Sequence, residues 1–315
     1  MKKRRLKHNC TLRTKLMIPI PTTYDDLCST LTTDLEAIQF AINHDILAIE
    51  KNCQNCGNIG SYIKTSTCID GFKFRCNCCK TEWSLRKNTI FTRSKLTVRQ
   101  ILKIIFLWST NTQHNKVMTI MKINKNTVTN FYLTLCMCAM ECNAYEGRIG
   151  GPGHTVQIDE TFVAKCKYGR GRQLRTQWLF GGVDVQTGKI FGELVPDRGA
   201  TTLKKSIEEN ILPGTHIISD GWRGYAYLDN EAGPNPYTHS MVNHSVEFVS
   251  PDGSHTQKIE RAWLEIKQFS KLQRGVKTTV LDENVNAAIW RENHISNASE
   301  AFEKTIELIQ QTDFS

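Results

Sequence analysis

The chain has 315 residues, 40% of them hydrophobic and 23% charged, an ordinary soluble composition with room for two or three domains and at least one sizeable core. No stretch approaches the roughly 18 uninterrupted apolar residues that cross a bilayer, and the basic opening MKKRRLKHNC has no apolar segment behind it, so neither secretion nor membrane insertion is expected. The net charge of +9 is uneven: residues 1–150 hold 22 Lys+Arg against 10 Asp+Glu, and the remainder 18 against 21. A basic front half ahead of a near-neutral back half suggests a module that meets a polyanion, nucleic acid first of all. Twelve cysteines without a signal peptide point to reduced thiols in the cytosol or nucleus, used in cores or as metal ligands.

Residues 1–32 are expected to form a basic, disordered arm. Within it Lys2, Lys3, Arg4, Arg5 and Lys7 make a cationic run suited to nuclear import or to DNA contact, and a nuclear location is expected. Thr33 with Glu36 reads as a capping box that opens a helix over residues 33–52, presenting Leu35, Ile38, Ile42 and Leu47. Over 53–92 the pairs Cys53/Cys56 and Cys76/Cys79 have the spacing of a zinc ribbon: each CxxC knuckle aims two thiolates at one centre, and the intervening hairpin brings the pairs together around Zn²⁺. Cys78, inside the second knuckle, could compete for the ion, and Cys68 is a weaker spare. With few apolar residues in the segment, metal binding must supply much of its folding energy.

Residues 93–146 read as helical. Val98, Ile101, Leu102, Ile105 and Trp108 form one buried stripe. A short helix through Val117 and Met121, a polar break at Asn124-Lys125-Asn126 and a longer helix with Val128, Phe131, Tyr132 and Leu135 on one face then give a helix-turn-helix outline. Lys125, Thr127, Asn130 and Thr134 would form its DNA-facing surface; a plain helical bundle is the other reading. Cys136, Cys138 and Cys142 read as core or neutral helix residues rather than ligands.

The flexible GRIGGPG at Gly147–Gly153 marks a boundary. Beyond it, strands are expected at Val156–Val163, Gln177–Val185 and Lys189–Pro196, a helix at Thr201–Ile211, strands at His216–Asp220 and Val246–Val249, and a long helix at His255–Leu272. That order is the one of an RNase H-like α/β catalytic domain, a mixed five-stranded sheet with helices, spanning 147–295. Residues 296–315 read as a C-terminal helix.

Three acids fall at special places in this order. Asp159 lies within the first strand, where an unpartnered carboxylate is costly to bury; Asp220 ends an apolar strand; Glu260 sits on the last helix. The two strand positions are neighbours in the expected sheet and the helix packs over them, so the carboxylates can converge. Such a cluster repels itself unless cations occupy it. Oxygen ligands select Mg²⁺ or Mn²⁺, and two such ions suit phosphoryl transfer. Lys267, two helical turns beyond Glu260, could reach a phosphate held there. Lys165, Lys167, Arg170, Arg172 and Arg175 surround Tyr168 and two glycines between the first two strands, a clamp for a DNA backbone. His239, Asn243, His244 and His255 gather ahead of the final helix and read as structural, as do Trp222, Trp263 and Trp290.

The blocks IGGPGHTVQIDETF, KYGRGR, WLFGGVD, PGTHIISDGWRGY, VNHSVEFVSPDGSHTQKIERAW and NAAIWREN occur in that order. Together they resemble the DDE transposases of the Merlin superfamily, eukaryotic relatives of the ISXO2-like insertion-sequence transposases. The likeness extends forward through the zinc ribbon to SLRKNTIFTRSKLTVRQILKIIFLW, and so covers residues 35 to about 295. The resemblance implies that Asp159, Asp220 and Glu260 are the catalytic triad and that Lys267 is the basic residue after the last acid. Gln257 stands where the family usually has Asn. The expected function is a DNA transposase that binds terminal inverted repeats and cuts and joins DNA with two Mg²⁺ ions. Its partners would be double-stranded transposon ends and target, and the chain would act as a homodimer or larger assembly. The alternatives are a domesticated DNA-binding protein and a nuclease of the same fold.

Overall fold

The computed structural model describes residues 18–164, 177–229, 236–242, 256–272 and 278–314. The chain divides into two compact units, one within 1–134 and 297–315 and the other within 135–296. Its elements begin with α1 (Tyr24–Thr30), α2 (Asp34–Asn43), β1 (Lys51–Asn52), β2 (Ile59–Lys64), β3 (Phe72–Cys76), β4 (Glu82–Ser84), α3 (Val98–Ser109), α4 (His114–Met121) and α5 (Lys125–Glu146). There follow β5 (Ile149–Gly150), β6 (Thr155–Ala164), β7 (Gln177–Asp184), β8 (Ile190–Val195), α6 (Ala200–Asn210), β9 (Ile211–Leu212) and β10 (His216–Asp220). The series closes with β11 (Thr238–Val242), α7 (Gln257–Leu272), α8 (Leu281–His294) and α9 (Ala301–Gln311).

In the first unit the Thr33–Glu36 capping box opens α2. The same device, Thr23 with Asp26, opens α1, a helix within the segment expected to be a disordered basic arm; the cationic run at the start of that segment lies outside the described residues. The helix expected to reach residue 52 stops at Asn43. Asp45 takes a left-handed φ of 52°, and the amides of Asp45 and Ile46 donate back to the carbonyls of Ile42 (3.2 Å) and Ala41 (2.8 Å), which closes the helix end in a Schellman motif. The C-terminal helix α9 belongs to this unit: Phe302 packs against Phe40 and Phe106, ring centroids 6.2 and 5.1 Å away.

Strands β1–β4 form one antiparallel sheet in sequential order. Tyr62, Phe74 and Trp83 stack across it. Behind the sheet, Arg86 donates to both oxygens of Asp70 and to the carbonyls of Ser94 (3.0 Å) and Leu96 (2.8 Å). Both charged side chains are buried, and the guanidinium fork thereby ties the ribbon to the segment leading into α3.

The second unit is built on a five-stranded sheet of order β11-β10-β6-β7-β8. β6, β7 and β8 are consecutive antiparallel strands, whereas β10 runs parallel to both β6 and β11. Three meandering strands, a crossover helix and two parallel strands on the far side of the first make the RNase H-like fold. The fifth strand is Thr238–Val242, eight residues earlier than expected; residues 246–249 lie outside the described residues. The pattern THSMV hides it because an edge strand needs only sparse apolar residues, here the buried Val242. One sheet face packs Val156, Ile158 and Phe180 against Leu203 and Ile207 of α6; the other carries α7 and α8.

Removing one partner of a buried, hydrogen-bonded ion pair strands the other. Arg86→Ala should therefore destabilise the first unit by ~3–5 kcal/mol in urea unfolding, and Arg86→Ala with Asp70→Leu by less than Arg86→Ala alone.

Candidate active site and metal centres

The two knuckles of the ribbon repeat one backbone plan. The amide of Cys53 donates to Asn58 O (2.9 Å) and that of Cys76 to Thr81 O (2.8 Å), and the residue after each second cysteine, Gly57 or Lys80, has a positive φ of 72° or 63°. The four sulfurs of Cys53, Cys56, Cys76 and Cys79 lie within 4.8 Å of one another, with Cys53–Cys79 at 3.5 Å and Cys56–Cys76 at 3.4 Å. A tetrahedron with Zn–S bonds of about 2.3 Å has edges of about 3.8 Å, so these residues can hold Zn²⁺. A hydrogen bond from the Asn58 side chain brings the Cys56 thiol down to about 6, and one from Thr81 lowers Cys79, both in favour of the thiolates a metal needs. Cys78 is exposed and is not one of the four grouped sulfurs; the nearby Cys56 charge pushes its thiol up.

α4 and α5 are joined by Lys122–Asn124, with Lys122 left-handed at φ 53°, and Asn124 Oδ1 accepts from the Asn126 amide at 2.8 Å. Lys125 and Asn130 are exposed on the opening turns of α5 and Thr127 is half-buried. Lys165, Lys167, Arg170, Arg172 and Arg175 lie outside the described residues, as do Asn243, His244 and His255.

In the second unit, alternate residues of β6 grip α7. Gln157 Oε1 accepts from the amides of Lys258 (3.0 Å) and Ile259 (3.2 Å), capping two of the orphan donors in the first turn of α7 from another element. Asp159 Oδ2 accepts from Trp263 Nε1 at 3.0 Å. Thr161 Oγ1 accepts from Lys267 Nζ. The indole lies against the sheet where Gly181 faces Asp159 in register; a Cβ at Gly181 would come within 2.3 Å of Phe191 O and 2.7 Å of the Trp263 ring.

The paired register of β10 with β6 ends at Ile218↔Gln157, and two residues further along the two strands stand Asp220 and Asp159. Asp220 Oδ1 accepts from the Trp222 amide at 3.0 Å. Glu260 is exposed in the first turn of α7, with Thr256 Oγ1 donating to it at 3.4 Å. Burial pushes the Asp159 carboxyl up to about 6, and the charges of Asp220 and Glu260 push the same way. All three acids therefore bear on one place. Their oxygens do not close to within 4.8 Å of one another as the cysteine sulfurs do, so the carboxylates form an open group with two half-buried members and one at the rim. An all-oxygen set of this kind suits Mg²⁺ or Mn²⁺.

Sequence reading missed a fourth acid. Glu160 points to the other sheet face, where Tyr225 donates to it at 2.7 Å; burial pushes it up to about 7, with Asp220 and Asp159 adding to the effect. Strand alternation places Glu160 opposite Asp159 in orientation, but nothing local in the sequence names Tyr225, 65 residues away, as its partner. Trp263 reads as a core residue, and it is buried; its indole N–H, one turn from Glu260, is also the donor to Asp159. Lys267 has its ammonium on Thr161, where burial lowers its pKa and the Asp159 charge raises it. His239 bridges Ser219 (2.9 Å) and Asp229 (2.6 Å), a structural role.

Stripping zinc from the protein with a strong chelator should melt the β1–β4 sheet while leaving the second unit folded, checked by amide hydrogen exchange resolved along the chain. A second test concerns pH. A carboxyl raised in the folded state keeps its proton where the unfolded chain has lost it, so Asp159 and Glu160 make stability fall as pH rises from about 4 to about 7. In Mg²⁺-free buffer the second unit should melt at a higher temperature at pH ~5 than at pH ~8, and Asp159→Asn should narrow the gap. Added Mg²⁺ should raise the melting temperature chiefly at the higher pH.

Residues 150–293 match the family of the ISXO2-like transposase domain, with which the Merlin resemblance is consistent. An uncharacterized transposase-like protein of Haemophilus influenzae is 24% identical over 106 residues, 34% of this chain and 82% of its own length. Among solved structures, the catalytic core domain of BIV integrase is 15% identical, covering 46% of this chain and 85% of its own, with a TM-score of 0.31. The HTLV-2 integrase catalytic core domain in complex with magnesium is 17% identical, covering 46% and 88%, with a TM-score of 0.30. The strand order described above is what identifies the fold. The sheet, α7 and all but the last residue of α8 fall within residues 150–293, the stretch of this second unit that matches the ISXO2-like transposase domain.

Proposed function

We propose that the chain is a DDE transposase that cuts DNA at transposon ends and joins the freed strand to a target. The observation that carries this reading is the half-buried Asp159 carboxyl, whose proton affinity the charges of Asp220 and Glu260 raise, within residues that match an ISXO2-like transposase domain. Asp159, Asp220 and Glu260 would hold Mg²⁺ or Mn²⁺, two ions in all. Bound there, the ions would supply Lewis-acid activation of the attacking oxygen and charge stabilisation at the leaving oxygen.

The protein's own residues do the rest. The Trp263 indole donates to one oxygen of Asp159 and so restrains the orientation of the carboxylate. Lys267, anchored beside it on Thr161, offers the phosphate a cation. In the first reaction water attacks phosphorus at the transposon terminus and the bond to the 3′ oxygen breaks, leaving a 3′-OH and a 5′-phosphate. In the second that 3′-OH attacks a target phosphodiester and expels the target's own 3′ oxygen, so bonds balance with no outside energy source.

Recognition of the terminal repeats falls to the ribbon and to Lys125, Thr127 and Asn130 on α5, while Lys165, Lys167, Arg170 and Arg172 hold the backbone near the acids. Since two ends must be joined, the active species is a dimer or larger.

Purified protein, labelled transposon-end duplex and Mg²⁺ distinguish the readings. Cut and joined products are expected, and Asp159→Asn should lower both by roughly a thousandfold or more while binding persists. Nicks without joining would indicate a nuclease, binding alone a domesticated DNA-binding protein, and an Asp159→Asn variant as active as its parent would remove the catalytic assignment.

A further inference from the structure

Within the second unit and apart from the acids, the end of α5 lies beside the end of α8. Cys142 and Glu146 are one helical turn apart, so both leave α5 on the same side. His294, the last residue of α8, meets them there: its Nε2 contacts Glu146 Oε1. The Cys142 sulfur, a Glu146 oxygen and a His294 ring nitrogen all lie within 4.8 Å of one another, and all three residues are half-buried.

The surrounding contacts hold these groups in place. Trp290 stacks on the His294 ring at 5.4 Å and 25°. Asn143 Nδ2 donates to Asn286 O at 2.8 Å and clamps α5 to α8, and Asn293 exchanges hydrogen bonds with the backbone of Ile190 at 2.8 and 2.9 Å, which clamps α8 to β8. Lys189 Nζ stands 3.4 Å from Glu146 Oε2, leaving Oε1 for the cluster. A cleft of about 310 Å³, lined by Glu146, Lys189, Asp282 and Asn293 among others, reaches the group at Glu146.

We propose that Cys142, Glu146 and His294 form a second transition-metal site that takes Zn²⁺, separate from the four-cysteine ribbon and from the carboxylates. Beside the carboxylate and the imidazole of the ion pair, the Cys142 thiol adds a soft ligand at the same point. A thiolate and an imidazole favour Zn²⁺ or Co²⁺ over Mg²⁺. Three protein ligands leave the fourth tetrahedral position to a water from the cleft. On binding, Cys142 releases its proton to solvent, and thiolate and carboxylate balance the dication. The ion staples α5 to α8, one ligand pair on the first helix and a single ligand on the second.

The test uses full-length protein carrying Asp159→Asn, in excess Mg²⁺, so that metal at the acids is not counted and the outcome is independent of the proposed catalysis. Loaded with Co²⁺ and desalted, it should retain about two Co²⁺ per chain. Cys142→Ser and His294→Ala should each reduce this to about one while the intense thiolate-to-metal bands of the ribbon remain; Cys76→Ser should lose those bands and keep the second ion. Cys142→Ser changes one atom and guards against misfolding of the histidine variant. Retention of about one Co²⁺ by the parent, or of two with no loss in either variant, would overturn the site.

Discussion

The second unit depends on a match of pitch between one strand and one helix. Two residues of a strand advance about 6.7 Å and four residues of an α-helix about 6.0 Å, so Gln157, Asp159 and Thr161 on β6 can engage Ile259, Trp263 and Lys267 on α7 one after another. The outer two contacts fix where the helix starts and how far along the strand it lies. The middle one is the acid itself. Placement of Glu260 over the sheet then follows from helix geometry alone, since it is the next residue after Ile259.

Such an anchor constrains the electrostatics. A carboxyl that serves as a structural acceptor here is partly withdrawn from water, and that desolvation without a cation raises its affinity for protons. Asp159 shows this tension, pushed to about 6 although the indole N–H pulls the other way. Glu160, on the opposite face, is pushed to about 7. Adjacent positions of one strand thus carry two carboxyls whose charges are unwelcome in the bare protein. Divalent cations on one face would relieve both, the nearer directly and the farther through the field.

Features encoded by local spacing were readable from the sequence. The Cys53/Cys56 and Cys76/Cys79 knuckles, the Thr33–Glu36 box and the acids at a strand centre, a strand end and a late helix each need only a few neighbouring residues. What escaped were partners distant along the chain or patterns weakened by position. Arg86 and Asp70 look like ordinary surface charges until the ribbon folds around them. The fifth strand is too polar to stand out from periodicity because the edge of a sheet demands little burial. Cys142 reads as a neutral helix residue because His294, which gives it chemical company, lies on another helix 152 residues away.

The bare backbone at Gly181 has a wider reach than its own strand. Phe191 O is immovable there, so any side chain installed at this point must shove the Trp263 ring, and that ring is what steadies the Asp159 carboxylate. A residue with no side chain of its own would then disturb the acid group from a neighbouring strand. The tolerance map of this strand pair should therefore trace the outline of the indole.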